Sequence, residues 1–124
     1  MRPFYLLNRN NSPALSDKHR LLTYEQLITE VLECKKMLND SGYNKDHRIA
    51  IQGPNRVETW IWMIAASFDG SGTTLPWKAS EYTENARLKK NNANAVVRLN
   101  KDGTLNEIDH KHFEKYRRFG EARP

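Results

Sequence analysis

Segments with the composition of β-strands alternate with segments of helical periodicity, and this alternation is the strongest constraint on the fold. Short runs rich in β-branched or small apolar residues occupy 47–52, 73–75 and 95–99, and a helical pattern separates each from the next. Strands that alternate with helices in this way are typical of βαβ units. The sequence therefore predicts an α/β fold, a small and mostly parallel sheet with flanking helices.

The clearest helix signal begins at Thr23, which forms the pattern of a capping box with Gln26. Apolar residues then recur at spacings of three and four, and Gly42 suits the left-handed position that follows a helix. The apolar positions are Tyr24, Leu27, Ile28, Val31, Cys34 and Leu38. This pattern predicts an amphipathic helix that buries one face.

Two more helices are predicted further along the chain. Asn55 and Glu58 form a cap signal before a helix over Val57–Phe68, which is apolar on nearly every side and should be mostly buried. Its large side chains, Trp60, Trp62, Met63 and Phe68, are more typical of a core than of a ligand site. They could instead form an exposed apolar patch that another chain covers. A third helix is predicted from Glu81 to about Lys90, with Ser80 as its cap.

The residues before the first helix have weaker signals. The Asn, Ser, Pro and Asp residues of Asn8–Lys18 predict a loop, and Phe4–Leu7 could form a short strand or a docked terminal segment. The first seven residues are too short an apolar stretch for a signal peptide, so a cytoplasmic location is expected.

The last third of the chain differs from the rest in charge. Residues 87–124 hold ten Lys/Arg and five Asp/Glu, which accounts for the whole net charge of +5. An Asp-Gly turn predicts that Leu105–Ile108 pairs back as a hairpin strand, and Asp109 is expected to cap a short helix over His110–Phe119. We therefore divide the chain into an α/β scaffold, residues 1–99, and a basic tail, residues 100–124.

The basic tail mixes cations with aromatic rings. The residues concerned are Lys111, Lys115, Arg117, Arg118 and Arg123, with Phe113, Tyr116 and Phe119. Surfaces that bind nucleic acid or an acidic partner have this composition, whereas a solvated terminal helix is the plainer interpretation. His110 and His112 flank Lys111 within the same segment, but no further ligands are suggested, so no metal site is expected.

Composition narrows the class of protein. The length of 124 residues suits one domain, and 10% aromatic residues are too many for a disordered chain. The mean hydropathy is −0.83 and no apolar run approaches the roughly 20 residues of a membrane span, so no membrane association is expected.

Cys34 is the single cysteine, which excludes an internal disulfide. Its place on the apolar stripe favours a core residue over a catalytic thiol.

Six motifs occur in a fixed order along residues 13–98. They are Pro13-Ala14-Leu15, Leu22–Leu27, Asp46–Ile51, Pro54–Glu58, Ala65–Trp77 and Glu81–Val97. In order and spacing they resemble the first part of the N-terminal region of adenylate-forming synthetases, the family of acyl-CoA synthetases, aryl-CoA ligases, luciferases and nonribosomal peptide synthetase adenylation domains. The sequence departs from that pattern by one residue inserted between Asp46 and Arg48, and by Thr59 before Trp60.

The resemblance implies a parent reaction, the ATP-dependent activation of a carboxylic acid as an acyl-AMP and its transfer to a thiol of CoA or a carrier protein. ATP and magnesium are implied for a complete family member. The matched stretch is mostly architectural in the family, so this chain alone is expected to be inactive, with no catalytic residue, metal ligand or cofactor of its own. The implied partner is the complementary part of a synthetase, or a second copy, through exposed apolar surface. The alternative is a stand-alone interaction protein that uses the basic tail.

One segment resembles the family's phosphate loop, S-G-T-T-G-x-P-K-G. The residues that would bind the phosphates are Ser71, Gly72, Thr73, Thr74 and Lys78. Small residues would let backbone amides approach the phosphate oxygens, and the lysine would supply charge. However, the glycine after the second threonine is missing and Trp77 separates Pro76 from the lysine. The alternative is a helix end followed by a buried strand.

Overall fold

The structure is a computed structural model that describes residues 12–44 and 46–110. The helices in this part of the chain are α1 (Tyr24–Asp40), α2 (Val57–Asp69) and α3 (Glu81–Lys90). The strands are β1 (Pro13–Ser16), β2 (Leu21–Thr23), β3 (Arg48–Gln52), β4 (Ser71–Thr74), β5 (Ala95–Leu99) and β6 (Leu105–His110). Strands β1 and β2 form an antiparallel hairpin, and the other four form a sheet in the order β4-β3-β5-β6. Because β4, β3 and β5 are parallel, the predicted α/β class is confirmed.

Helix α1 begins as its sequence predicts. The Thr23 hydroxyl accepts a hydrogen bond from the Gln26 amide at 3.2 Å, and the Gln26 side chain accepts one from the Thr23 amide at 2.9 Å. These two bonds satisfy amides that the first turn of a helix otherwise leaves without partners. The predicted apolar stripe is buried from Leu27 to Leu38, and Gly42 has the expected positive φ of 95°.

Helix α2 has a different cap from the one predicted. It begins at Val57, so Arg56 rather than Asn55 holds the N-cap position, and the Arg56 side chain makes no capping bond. Instead, the Asp17 carboxylate accepts a hydrogen bond from the Val57 amide at 2.7 Å. Its other oxygen accepts bonds from two amides of its own turn, one of them the Arg20 amide at 2.8 Å. A carboxylate suits this position because helix N-termini carry partial positive charge.

The loop predicted over Asn8–Lys18 is wrong in its second half, where Pro13–Ser16 forms β1. Leu15 lies opposite Leu22 in the ladder between β1 and β2, and Ala14 and Leu15 pack against the main core. A strand of four residues with a loop-like composition is stabilised here by its partner and by burial, which are tertiary effects that local composition does not contain. The segment Phe4–Leu7 lies outside the described residues.

The main core lies between the sheet and helices α1 and α2. Ile49 and Ile51 of β3 belong to it, whereas Ala50 belongs to a smaller cluster with Leu88 of α3. Since successive side chains of a strand point to opposite faces, α3 covers the other face of the sheet. Helix α2 is expected to be mostly buried, and this is met in part. Ile61, Trp62 and Ala65 are buried, whereas Met63, Ile64 and Phe68 are half-buried and Trp60 is 53% exposed.

The predicted hairpin strand Leu105–Ile108 lies within β6, which pairs antiparallel with β5. Gly103 has a φ of 89° in the turn between them, and its amide donates to the Asn100 carbonyl at 2.9 Å. Asp109 lies within β6 and is therefore not the cap of a helix. Residues 111–119, where the last helix was predicted, lie outside the described residues.

The Asp17 cap predicts a specific acid sensitivity. The hydrogen bond from the Val57 amide, with those from the His19 and Arg20 amides, lowers the pKa of Asp17 from 3.8 to about 2. The stabilisation is therefore complete above pH 4 and is lost as the pH falls from 4 towards 2. We expect Asp17→Asn to lower the urea midpoint of unfolding at pH 6. The difference in midpoint between the variant and wild type should disappear near pH 2. Asp40→Asn, which removes an exposed carboxylate, is the control, and a gap independent of pH would contradict the assignment.

Candidate functional site

The residues of the predicted phosphate loop lie at the edge of the sheet. Ser71–Thr74 form β4, with Ser71 opposite Arg48 and Thr74 opposite Ile51 of β3. The chain then passes Leu75 and Pro76 to reach Lys78, which is exposed. The order of a helix end followed by a strand agrees with the alternative interpretation, except that the strand is half exposed and not buried.

An extended strand presents its amides in a way unlike a phosphate loop. Successive amides of a strand point to opposite sides, so the amides of β4 do not converge on one point. The Leu75 amide donates to the Ile51 carbonyl of β3 at 2.9 Å. Since the amides of successive strand residues alternate in direction, those of Gly72 and Thr74 point away from β3. They lie about 6.6 Å apart along the edge and do not form the concave nest that holds an anion.

Gly72 has a packing role in this strand. A Cβ atom on Gly72 would lie 2.8 Å from the Ser67 hydroxyl, 3.2 Å from the Ala66 Cβ and 3.2 Å from the Met63 carbonyl. The absence of a side chain therefore lets α2 approach β4 closely. This contact explains the glycine without any phosphate.

The N-terminus of α2 is the other place where an anion could bind. It follows β3 directly, where α/β proteins commonly hold phosphate. Here the Asp17 carboxylate already accepts the bond from the Val57 amide. A second anion at this position would meet the negative charge of Asp17, so the structure provides its own ligand for this helix end.

The crevice beyond the carboxyl ends of β3 and β5 is the usual ligand position in an open sheet of this topology. Thr59 and Leu99 lie against Gly53 there, with no room for a side chain on the glycine. The Thr59 hydroxyl donates to the Pro54 carbonyl at 2.6 Å. On the far side of the turn, a Cβ on Gly103 would meet the Glu58 carboxylate at 2.7 Å. The chain is therefore closely packed at both glycines that border this crevice.

Glu58 belongs to an ion-pair network beside that crevice. Arg20 pairs with Glu58 at 2.9 Å and also with Glu30 of α1, while Arg56 pairs with Glu58 at 3.1 Å. Burial alone would raise the pKa of Glu58, but the hydrogen bonds from Arg20 and Arg56 lower it below its ordinary value. The network ties the β1–β2 hairpin to both helices, and it uses the charges that could otherwise bind a ligand.

Arg98 forms a second charged cluster on the α3 face of the sheet. Its guanidinium donates to Asp109 at 2.8 Å and to Gln52 at 2.7 Å, and it pairs with Glu84 and Glu107. Burial alone would lower the pKa of Arg98, but the bonds to Asp109 and Glu84 raise it above its ordinary value. No local pattern in the sequence predicts this cluster. Its one signal is an arginine within the apolar strand Ala95–Leu99.

The remaining candidates offer no reactive group. Burial, with the charges of Glu30 and Glu33, raises the pKa of the Cys34 thiol to about 12, so the nucleophilic thiolate is disfavoured. Tyr43 hydrogen-bonds the His110 ring, and His112 lies outside the described residues. Residues 12–44 and 46–110 contain no group of three His, Cys, Asp or Glu side chains placed to hold a metal ion.

The cavity at the C-terminal end of α1 is small. Lys35, Asn39 and Tyr43 help to line a space of about 20 Å³, which is room for about one water molecule. None of the described helices is both long and apolar enough to cross a membrane.

Comparisons with known proteins identify the fold. No family model and no curated protein sequence matches the chain. Apo MatB from Rhodopseudomonas palustris superposes with a TM-score of 0.72 at 16% identity, over 84% of this chain and 25% of MatB. MenE from Bacillus subtilis, an o-succinylbenzoate CoA synthetase solved with AMP, gives 0.68 at 18% identity, over 77% and 25%. The N-terminal subdomain of Klebsiella oxytoca NpsA gives 0.63 at 20% identity, over 69% and 23%.

The chain thus spans about a quarter of the length of the proteins that it matches. The predicted resemblance is confirmed at the level of the fold, which is that of the N-terminal part of adenylate-forming synthetases. Sequence identities of 16–20% show a shared fold and do not show a shared function.

A substitution at Gly72 separates packing from phosphate binding. We expect Gly72→Ala to lower the free energy of unfolding by about 1–3 kcal/mol in urea titrations without nucleotide, because the new Cβ overpacks the α2–β4 contact. Ser67→Ala in the same background should recover part of this loss. Ser71→Ala, on the exposed end of β4, is the control. Unchanged stability of Gly72→Ala would contradict the packing role.

A substitution at Arg98 tests the second cluster. We expect Arg98→Met to lower the free energy of unfolding by about 2–4 kcal/mol, because it leaves the buried Glu84 carboxylate without its counter-charge. Glu84→Gln in the same background should recover part of the loss, since it removes the charge that has lost its partner. Lys101→Met, in the exposed turn, is the control. A variant as stable as wild type would show that the cluster contributes nothing.

Proposed function

We propose that this chain is the architectural first portion of a protein like the AMP-forming acyl-CoA or aryl-acid synthetases, and that it has no catalytic activity alone. The observation that carries the proposal is the superposition of 84% of the chain on a quarter of a synthetase at a TM-score of 0.72. In the parent reaction a carboxylate attacks the α-phosphate of ATP, which forms an acyl-AMP and releases pyrophosphate. A thiol then displaces AMP and forms the thioester.

The described residues do not fit ATP or magnesium. Strand β4 is extended, Asp17 occupies the N-terminus of α2, and no group of side chains in the described ranges is placed to hold a metal ion. We therefore assign no step of the reaction to this chain. One MenE structure contains AMP, another contains the acyl-adenylate OSB-AMP, and an NpsA structure contains 3-hydroxybenzoyl-AMSN. Under our proposal the complementary part of the protein would bind such nucleotides.

The internal pairing of the charged groups supports a scaffold role. Arg20 and Arg98, the two arginines at the centres of the clusters, each contact at least two carboxylates of this chain. Groups that are paired in this way stabilise the fold and leave little free charge for a substrate. The cytoplasm, where ATP and CoA are available, is the location that suits such a protein. The alternative function of the basic tail depends on residues 111–124, outside the described residues, and stays a prediction.

Reconstitution with the complementary polypeptide tests this proposal. The chain is tagged and purified from its own host. We expect a polypeptide with a phosphate loop ending in P-K-G to copurify with it in equal amount. The purified complex should release AMP from ATP and magnesium when a suitable carboxylic acid is supplied with CoA. Each polypeptide alone should give only background release. Carboxylate-dependent AMP release by this chain alone, or full activity of the other polypeptide alone, would contradict the proposal.

A further inference from the structure

The described sheet ends in two edge strands of different character. Strand β6 carries Glu107, Asp109 and His110, and its ladder with β5 contains an irregularity after Arg98. Charges and bulges of this kind protect an edge strand from pairing with another chain. Strand β4, Ser71–Thr74, carries no charge and no proline. Its four residues are short for an edge strand, but β4 has no charge, proline or bulge that would prevent another strand from pairing with it.

The side of α2 that carries Trp60 lies next to this edge. Trp60, Ile64 and Ser67 share one side of the helix because they are four and three residues apart. The Ser67 hydroxyl faces Gly72 of β4, so this side of α2 borders the strand. Trp60 is 53% exposed, although its neighbours Ile61 and Trp62 are buried. One exposed tryptophan is ordinary on a protein surface, so it is the neighbouring open strand edge that makes this surface a candidate interface.

We propose that this surface, the open edge of β4 together with Trp60, is where the complementary part of the synthetase-like protein docks. The inference rests on the proposed function and names the surface that the proposed partner uses. A strand of the partner would pair with the Gly72 and Thr74 amides, and an apolar side chain would cover Trp60. The matched structures are about four times as long as the part that this chain matches, so most of such a protein lies outside this fold.

A second copy of this chain is the competing occupant. A four-residue strand that pairs with its own copy offers few hydrogen bonds, and it buries only Trp60 from each side. A partner that contributes a strand and a helix would cover both features at once. The shortness of β4 therefore disfavours a homodimer held by this edge alone and favours a partner that covers Trp60 as well.

Two variants test the surface. Trp60→Glu places a charge on the exposed side of α2, and Thr74→Pro removes an amide that faces the open edge while the bonds to β3 remain. Tyr82→Glu is the matched control, because Tyr82 is 85% exposed on α3, on the other face of the sheet. We measure the Kd of each purified chain for the complementary polypeptide. Both variants should weaken binding at least tenfold, and Tyr82→Glu should bind like wild type.

The outcomes separate this inference from the proposed function. If wild type binds and neither variant loses affinity, the docking surface is elsewhere and the proposed function stands. If wild type binds no polypeptide with a phosphate loop, the proposed function fails and the inference fails with it. If the chain alone forms a dimer that Trp60→Glu dissociates and no partner binds, the occupant is a second copy and the inference is overturned.

Hydrogen exchange keeps the test decisive if a variant fails to fold. In the wild-type chain the amides of Gly72 and Thr74 should exchange rapidly when it is free. On binding the complementary polypeptide they should become protected at least tenfold. The exchange of the β6 amides at Glu107 and Asp109 should change less. Protection confined to β6, with none on β4, would overturn the inference.

Discussion

The hydrogen bond from the Val57 amide to the Asp17 carboxylate holds the parts of this fold together. It joins the turn of the β1–β2 hairpin to the first turn of α2, and so fixes where α2 begins relative to β3. The same turn positions Arg20, which reaches Glu30 on α1 and Glu58 on α2. Asp17 and Arg20 together thus connect the hairpin to both helices that cover the main core. Asp17 also occupies the helix end at which a phosphate would otherwise bind.

Local patterns in the sequence predict much of the fold and little of the site. The capping box at Thr23 and the cap at Ser80 are correct, because each depends on residues three positions apart. The cap of α2 is missed because Asp17 lies 40 residues from Val57, and no local window contains both. For a related reason, the sequence leaves open whether Trp60 is a core residue or part of an exposed apolar patch. Periodicity shows that α2 is apolar on most sides, but only the packed structure shows which side remains uncovered.

The motif at Ser71–Lys78 shows that a short sequence resemblance has to be checked against the structure before it is assigned a function. Small residues suit a phosphate loop, and they equally suit a strand that packs closely against a helix. The structure has the second arrangement, with Gly72 beside Ala66 and Ser67. The longer pattern of six motifs was the better guide, since the fold agrees with synthetases at 16–20% identity. Over such a distance, the order and spacing of elements persist where individual residues do not.

Under the proposed function, this chain supplies the frame of a synthetase-like protein and does not bind nucleotide by itself. Isothermal titration calorimetry of the full chain with ATP and magnesium is the decisive measurement. We expect heats equal to those of dilution at every temperature tried, for wild type and for Lys78→Met alike. A saturable isotherm with one site per chain, abolished by Lys78→Met, would contradict the account and restore Ser71–Lys78 as a phosphate loop.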